Sequence, residues 1–292
     1  MRPKDFFLLA RDSAVAWGDD YASSMGAAIA FYTVFSIAPL LIIVIAVAGF
    51  VWGENAIHGE IFRQLSGLVG ADGAAGIQSL LSSASRPKQG LVATTVGVAI
   101  LVWGATLVFA ELQSALDRIW KVPALAKKAG IWNMLRARLL SFGLVLGLAF
   151  LLLVSLVVSA ALALLGHWVG GALPDWQVLL QGLNSMVSLA ITTVLFAMIF
   201  KFMPQADIAW RDVWIGAIVT AILFEIGKIL IGLYVGNSST ISALTAAGSF
   251  VVVLIWVYYA AQVFLLGAEF TWAYANRYGS KMSKTATRTT SA

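Results

Sequence analysis

The sequence predicts an all-α, polytopic membrane protein with six transmembrane helices, short amphipathic helices at the interface and both termini cytoplasmic. Three observations carry that prediction. Of 292 residues, 60% are hydrophobic and only 11% charged, with a mean hydropathy of +0.89. A soluble domain carries about 25% charged residues, so this surface could not be kept wet, and a soluble enzyme, a disordered protein and a coiled coil are all excluded. Six apolar runs reach about 20 residues, the length that about 30 Å of hydrocarbon demands at about 1.5 Å per helical residue. The basic residues, finally, fall on alternate connections.

Along the chain, Asp5 to Trp17 comes first, with Phe6, Leu9, Ala10, Ser13 and Trp17 on one helical face and Asp5, Arg11 and Asp12 elsewhere. That is the pattern of a helix lying along the inner interface. Residues 1–26 are mixed and charged, and the apolar run after them is far longer than the core of a cleavable signal, so the first hydrophobic helix is expected to be retained. The predicted spans are Ala27 to Trp52, Gly90 to Ala110, Leu139 to Leu165, Val178 to Phe200, Val213 to Val235 and Gly248 to Trp272. Pro39 removes a backbone donor and should kink the first. The connection 53–89 spaces Ile57, Ile61, Leu65 and Leu68 helically, breaks at Gly73 to Gly76 and resumes with Ile77, Leu80 and Leu81, which predicts two short amphipathic helices at the outer mouth. Residues 236–240 read as an uncharged polar turn. The transmembrane domain is thus 27–273, and 274–292, rich in Ser, Thr and Lys at its end, reads as a disordered cytoplasmic tail.

Orientation follows from the cations. Arg2, Lys4 and Arg11, the six from Arg118 to Arg138, Lys201 and Arg211, and Arg277, Lys281, Lys284 and Arg288 all fall on one side of a six-span topology. Only Arg63, Arg86 and Lys88 fall on the other. An odd number of spans would destroy this bias, and the positive-inside rule places the rich side in the cytoplasm.

Chemistry is sparse. There is no cysteine, which excludes disulfides, thiolate metal sites and a catalytic thiol. His58 and His167 have no metal partner at useful spacing, and nucleotide-binding, metalloprotease and serine-hydrolase motifs are absent. The reading is therefore a non-enzyme with no cofactor and no metal. Ionisable groups within the spans are the functional candidates, because lipid makes them costly. Glu225 and Lys228 stand three apart on the fifth span, where they form either a gate facing a cavity or an ion pair that neutralises itself. Glu111 and Glu269 close the second and sixth spans, with Arg118 and Arg277 available as basic neighbours. Gln262, Asn184, Tyr258 and Tyr259 supply the remaining polar groups, a thin lining that favours an amphipathic substrate over hydrated ions.

Small residues spaced four apart, Gly143 with Gly147 and Gly26 with Ala30, mark close helix packing and serve a homo-oligomer as well as a monomer. Lys121, Lys127, Lys128, Arg136 and Arg138, interleaved with Trp120 and Trp132, suit anionic lipid headgroups, although the positive-inside bias alone also accounts for them. Tethered this close to the bilayer and without a binding module, they do not indicate nucleic acid.

The stretch Ala30-Phe31-Tyr32-Thr33-Val34-Phe35-Ser36-Ile37-Ala38-Pro39-Leu40-Leu41 resembles the first-helix signature of the YihY/BrkB family. Gly248-Ser249-Phe250 through Leu254-Ile255-Trp256-Val257-Tyr258-Tyr259 to Leu265-Leu266-Gly267-Ala268-Glu269-Phe270 resembles its last-helix signature. The resemblance spans residues 5 to 278. It implies a bacterial inner-membrane protein of six helices with both ends inside and a transport role. Some members are associated with export of envelope lipid or lipopolysaccharide, and the family has also carried a ribonuclease label, for which these cytoplasmic connections offer no acid/base cluster. Phe31, Tyr32, Ser36, Pro39, Trp256, Gly267 and Glu269 match the family pattern without an agreed catalytic role. Pro39 and Gly267 suit conformational duties, and Glu269 is the titratable residue inside the signatures. Two functions then stand open. One is a transporter for an anionic, lipid-like substrate, with Glu225 and Lys228 as the intramembrane site and Glu111 and Glu269 as the inner gate. The other is a non-transporting scaffold for envelope assembly.

Overall fold

In the computed structural model, the described residues are 3–36, 107–123, 175–237 and 246–281, with Ala74 and Gln78. Every regular element among them is an α-helix: α1 (Pro3–Asp19), α2 (Ala22–Ser36), α3 (107–119), α4 (Asp175–Phe202), α5 (Trp210–Asn237) and α6 (Ala246–Arg277). Outside the described residues lie the third predicted span with Gly143 and Gly147, most of the second, Pro39 and the rest of the first, and Pro174. Also outside them are His58, His167, nearly all of 53–89, Lys127, Lys128, Arg136, Arg138 and the chain beyond 281.

The three long helices outrun the charge-free windows of the sequence. α4 and α5 have 28 residues each and α6 has 32, or about 42 and 48 Å at the α-helical rise. Their ends therefore extend past about 30 Å of hydrocarbon into the headgroups. Gly182–Phe202, Trp210–Leu230 and Val253–Arg277 are long and apolar enough to cross a membrane. On α5 the outward stripe is Trp214, Ile218, Ile222, Ile226 and Ile229, all exposed, an apolar face that water would not tolerate and lipid would. Hydroxyls in these helices are turned back on their own backbones. Thr193, Thr220 and Thr271 each donate at 2.7 Å to the carbonyl four residues earlier, which satisfies the group without a neighbouring helix.

The helices divide between two compact units, one drawn from Met1–Asp20, Gln113–Leu223 and Leu266–Ala292, the other from Tyr21–Leu112 and Phe224–Leu265. In the first, α1 lays Leu9 against Phe270, Ala273 and Tyr274 of α6, with Ile215 and Val219 of α5 packed beside them. Of the predicted face of α1, Leu9 and Ser13 are buried and Trp17 is half-buried, whereas Ala10 and Phe6 are exposed. Phe6 still reaches the ring of Phe270, 5.8 Å between centroids. α5 and α6 run antiparallel here, because Gly216 meets Thr271 while Thr220 meets Gly267. α3 ends in a Schellman turn: Val122 N–H donates to Asp117 and Lys121 N–H to Arg118, both at 2.9 Å, and Lys121 takes the left-handed φ of 51° that such a turn requires. The bend between α4 and α5 buries Met203, Pro204 and Ile208. It is held by Gln205 N–H donating to Asp117 Oδ1 at 2.7 Å and Lys201 Nζ donating to the Ile208 carbonyl at 2.5 Å.

In the second unit, Ala30 and Val34 of α2 pack with Ala74 and with Val253 and Val257 of α6. Gly26, one turn before Ala30, lets α6 bring Gln262 over its backbone, so this small-residue pair serves helix packing within the chain. Gly227 of α5 receives the ring of Tyr259 in the same way.

Candidate functional site

Among the described residues, the charged side chain most fully buried is Glu269, on α6. Its exposure is 0%, and neither carboxylate oxygen has a hydrogen-bond partner among the described residues. An ionised carboxylate so placed costs several kcal/mol, about the figure for any unpaired charge held away from water. Its position follows from packing on both sides. Ala268 and Phe270 are buried with it, and two residues earlier Gly267 lets α5 approach until a Cβ there would fall on the Thr220 side chain. Arg277, the basic neighbour that the sequence offered for Glu269, does not pair with it. That guanidinium donates instead to Asp12 Oδ2 of α1 at 2.6 Å.

Two charged groups bear on Glu269. One is Asp20, in the turn between α1 and α2, whose carboxyl lies within hydrogen-bonding reach although two ionised carboxylates have no proton to share; the other is Lys121 at the end of α3. Local structure delivers both. The helix break after α1 is a turn in which Tyr21 adopts a φ of 57° and its carbonyl accepts from Ser24 and Met25 to start α2. The Asp20 carbonyl accepts from Arg118 Nη1 at 3.4 Å, so Arg118 is engaged with this turn rather than standing free for Glu111. Lys121 Nζ sits 4.3 Å from the ring centre of Trp272, one turn beyond Glu269 on α6, and Lys281 Nζ lies 4.6 Å from the ring of Trp120. Two ammonium groups are thus seated on indole faces, each worth about 0.5–1 kcal/mol at exposed sites. The Trp120 Nε1 donor is buried without a partner among the described residues.

In the other unit, Glu225 and Lys228 form an ion pair at 2.8 Å with side chains 29% and 23% exposed, and Lys228 Nζ lies 6.0 Å from the Phe224 ring. Phe224 in turn meets Trp256 edge-on at 5.8 Å. Gln262 Nε2 donates to the Ser23 carbonyl at 3.3 Å while its Oε1 is buried without a partner among the described residues. Glu111 is half-buried on α3, and Asn184 is exposed near the start of α4.

Sequence reasoning singled out Glu269 and Lys121 but not Asp20 or Trp272. Asp20 looks like one more charge in a mixed amphipathic stretch, and nothing local announces the left-handed Tyr21 that turns the chain there. Trp272 carries the usual signal of an interfacial aromatic beside cationic loops, and that signal was available.

The helices and this site define the class: an all-helical membrane protein with an ionisable residue buried inside an apolar helix. Within that class, the chain belongs to the family described as Virulence factor BrkB, whose sequence profile matches residues 14–291. Among its curated relatives, a UPF0761 membrane protein of Ralstonia nicotianae is 30% identical over 260 residues, 86% of this chain and 55% of the relative. Others from Pseudomonas aeruginosa and Stenotrophomonas maltophilia are 28% and 27% identical, covering 85% and 86% of this chain and 58% and 57% of the relatives. The chain therefore spans little more than half the length of the curated relatives it matches. No solved structure matches it.

Proposed function

We propose that the protein is a transporter of the bacterial inner membrane. In this reading it crosses the bilayer six times with both termini cytoplasmic and moves an amphipathic, lipid-like anion through a helix-lined cavity. The observation that carries the reading is Glu269, an ionisable side chain with 0% exposure and no hydrogen-bond partner among the described residues, inside an apolar helix. A purely structural helix would replace it with a leucine at no loss, since burying such a group opposes folding. The cations seated on Trp272 and Trp120 support the choice of an anionic, headgroup-bearing substrate: an ammonium on an indole face is the chemistry of the lipid–water boundary. Lys127, Lys128, Arg136 and Arg138 would add to that attraction, Pro39 would supply a bend, and Glu111 would belong to the inner gate.

The test is the full chain reconstituted in liposomes that carry a fluorescently tagged phosphatidylglycerol or a trapped organic anion. Protein-dependent movement of either is expected, and it should fall at least tenfold in a folded Glu269→Leu variant. Movement no faster than in empty liposomes for both probes would overturn the reading.

A second reading, a non-transporting scaffold for envelope assembly, draws support from the Glu225–Lys228 pair, which neutralises itself within one helix. It requires a partner that survives mild detergent extraction.

A further inference from the structure

We propose that Glu269, with Asp20 and Lys121 beside it, is a reversible proton-binding site inside the membrane-spanning part of α6. The proposal deepens the transport reading by naming the ion that would be coupled to movement.

The argument begins with what the carboxylate lacks. A buried acid can be met by a hydrogen-bond donor, a counter-cation or a proton. Neither oxygen of Glu269 has a donor among the described residues. Thr271, two residues further along α6, donates its hydroxyl to the Gly267 carbonyl and so is committed elsewhere. Lys121 bears on the site but makes no ion pair with it, and its ammonium rests on the Trp272 ring. Among the described residues, a proton is what remains.

The second step is a route. Asp20 is only half-buried, next to the site and in a turn rather than a helix. A proton leaving the Glu269 carboxylic acid can pass to the Asp20 carboxylate, which then releases it to water; uptake is the reverse. One O–H bond breaks as one forms at each transfer, and no other reactant is needed. Among the described residues, the charged groups facing the site come from two elements: Asp20 from the turn between α1 and α2, and Lys121 from the end of α3. The α6 face that meets α5 is the one bearing Gly267 and Thr271, against the uncharged Thr220 and Gly216. Asp20 opposes a second negative charge and Lys121 favours it, so the two neighbours set the balance at which the proton leaves.

The experiment is infrared difference spectroscopy of the full chain in lipid bilayers, comparing acidic with alkaline buffer and following the carbonyl stretch of protonated carboxyls. A band that vanishes in Glu269→Gln, persists in Glu225→Gln and titrates in opposite directions in Asp20→Asn and Lys121→Met is expected. The last two variants keep the Glu269 side chain in place, so they answer the question even where Glu269→Gln fails to fold. An unchanged difference spectrum in folded Glu269→Gln, a titration indifferent to both neighbours, or a band that follows sodium at fixed pH would each overturn the proposal. The measurement needs no substrate. A band that behaves as described alongside liposomes that move nothing would sink the transport reading and leave the proton site standing.

Discussion

Thr220 on α5 and Gly267 on α6 touch, and four residues away on each helix the roles reverse, with Gly216 receiving Thr271. Each threonine hydroxyl donates to the glycine carbonyl of its own helix at 2.7 Å, so the two helices meet through close contact of the glycine backbone with the threonine Oγ1, Cβ and Cγ2 atoms rather than through hydrogen bonds shared between helices. This reciprocal pair is what brings the α6 segment carrying Glu269 so close to α5.

An alanine at position 267 would place its Cβ 2.8 Å from the Thr220 Cβ, and the helices must then part. Gly267→Ala should destabilise the protein by about 1–3 kcal/mol, the usual cost of overpacking a tight contact, and Gly216→Ala should do the same. Adding Thr220→Ala to Gly267→Ala removes the hydroxyl and methyl that clash and should recover part of the loss. Unfolding followed by circular dichroism in detergent gives the coupling directly, and simple additivity would mean that the two residues do not share a contact.

How far this could be read from the sequence differs from residue to residue. α4, α5 and α6 were legible because long apolar runs leave no alternative in a bilayer, although each helix continues beyond the charge-free window. Asp212 and Arg277 lie within α5 and α6, the first buried against Ser280 and the second paired with Asp12, so a charge at those positions does not mark the helix end. Glu269 was legible as a costly residue. Its surroundings were not, because they depend on a turn at Asp20 and Tyr21 and on the end of α3, both remote in sequence. Nearness in sequence misassigned the cations: Arg277 reaches Asp12, 265 positions away, and Arg118 reaches the Asp20 carbonyl, 98 away.

Two carboxylates hold the chain near the end of α6, and they should not matter equally. Asp212, 1% exposed, accepts from the Ser280 N–H at 3.1 Å and the Ser280 hydroxyl at 2.6 Å, whereas Asp12 and Arg277 are nearly half exposed. Asp212→Ala should cost about 2 kcal/mol, the scale for hydrogen bonds to a charged, desolvated group. Asp12→Ala should cost less than about 1 kcal/mol. Thermal unfolding of the two variants side by side tests the order, and equal losses would contradict the burial difference.

The Glu225–Lys228 pair makes a sharper distinction. Glu225→Leu alone strands an ammonium in lipid, at a cost of up to about 3 kcal/mol at mid-depth, while Glu225→Leu with Lys228→Leu removes both charges together. The single variant should therefore be the less stable of the two, with the double close to the native protein. Flux through liposomes then separates the two roles. A folded double variant that moves substrate at the native rate identifies a structural ion pair, and a folded but inactive one identifies a gate.

Lys121 tests whether strain is being held at the site. With a φ of 51° at the C′ position of a Schellman turn, it occupies a place where glycine is ordinarily found, and a side chain there costs about 1–2 kcal/mol. Lys121→Ala and Lys121→Gly both delete the ammonium from the Trp272 ring, so the difference between them isolates the backbone. Lys121→Gly should be the more stable by about 1 kcal/mol, the opposite of the order inside a helix. If Lys121→Gly also matches or exceeds the native protein in unfolding midpoint while shifting the Glu269 carboxyl band, the lysine is retained at the expense of stability for the charge it brings to that site. A variant that is both less stable and spectroscopically unaltered would make Lys121 a packing residue and nothing more.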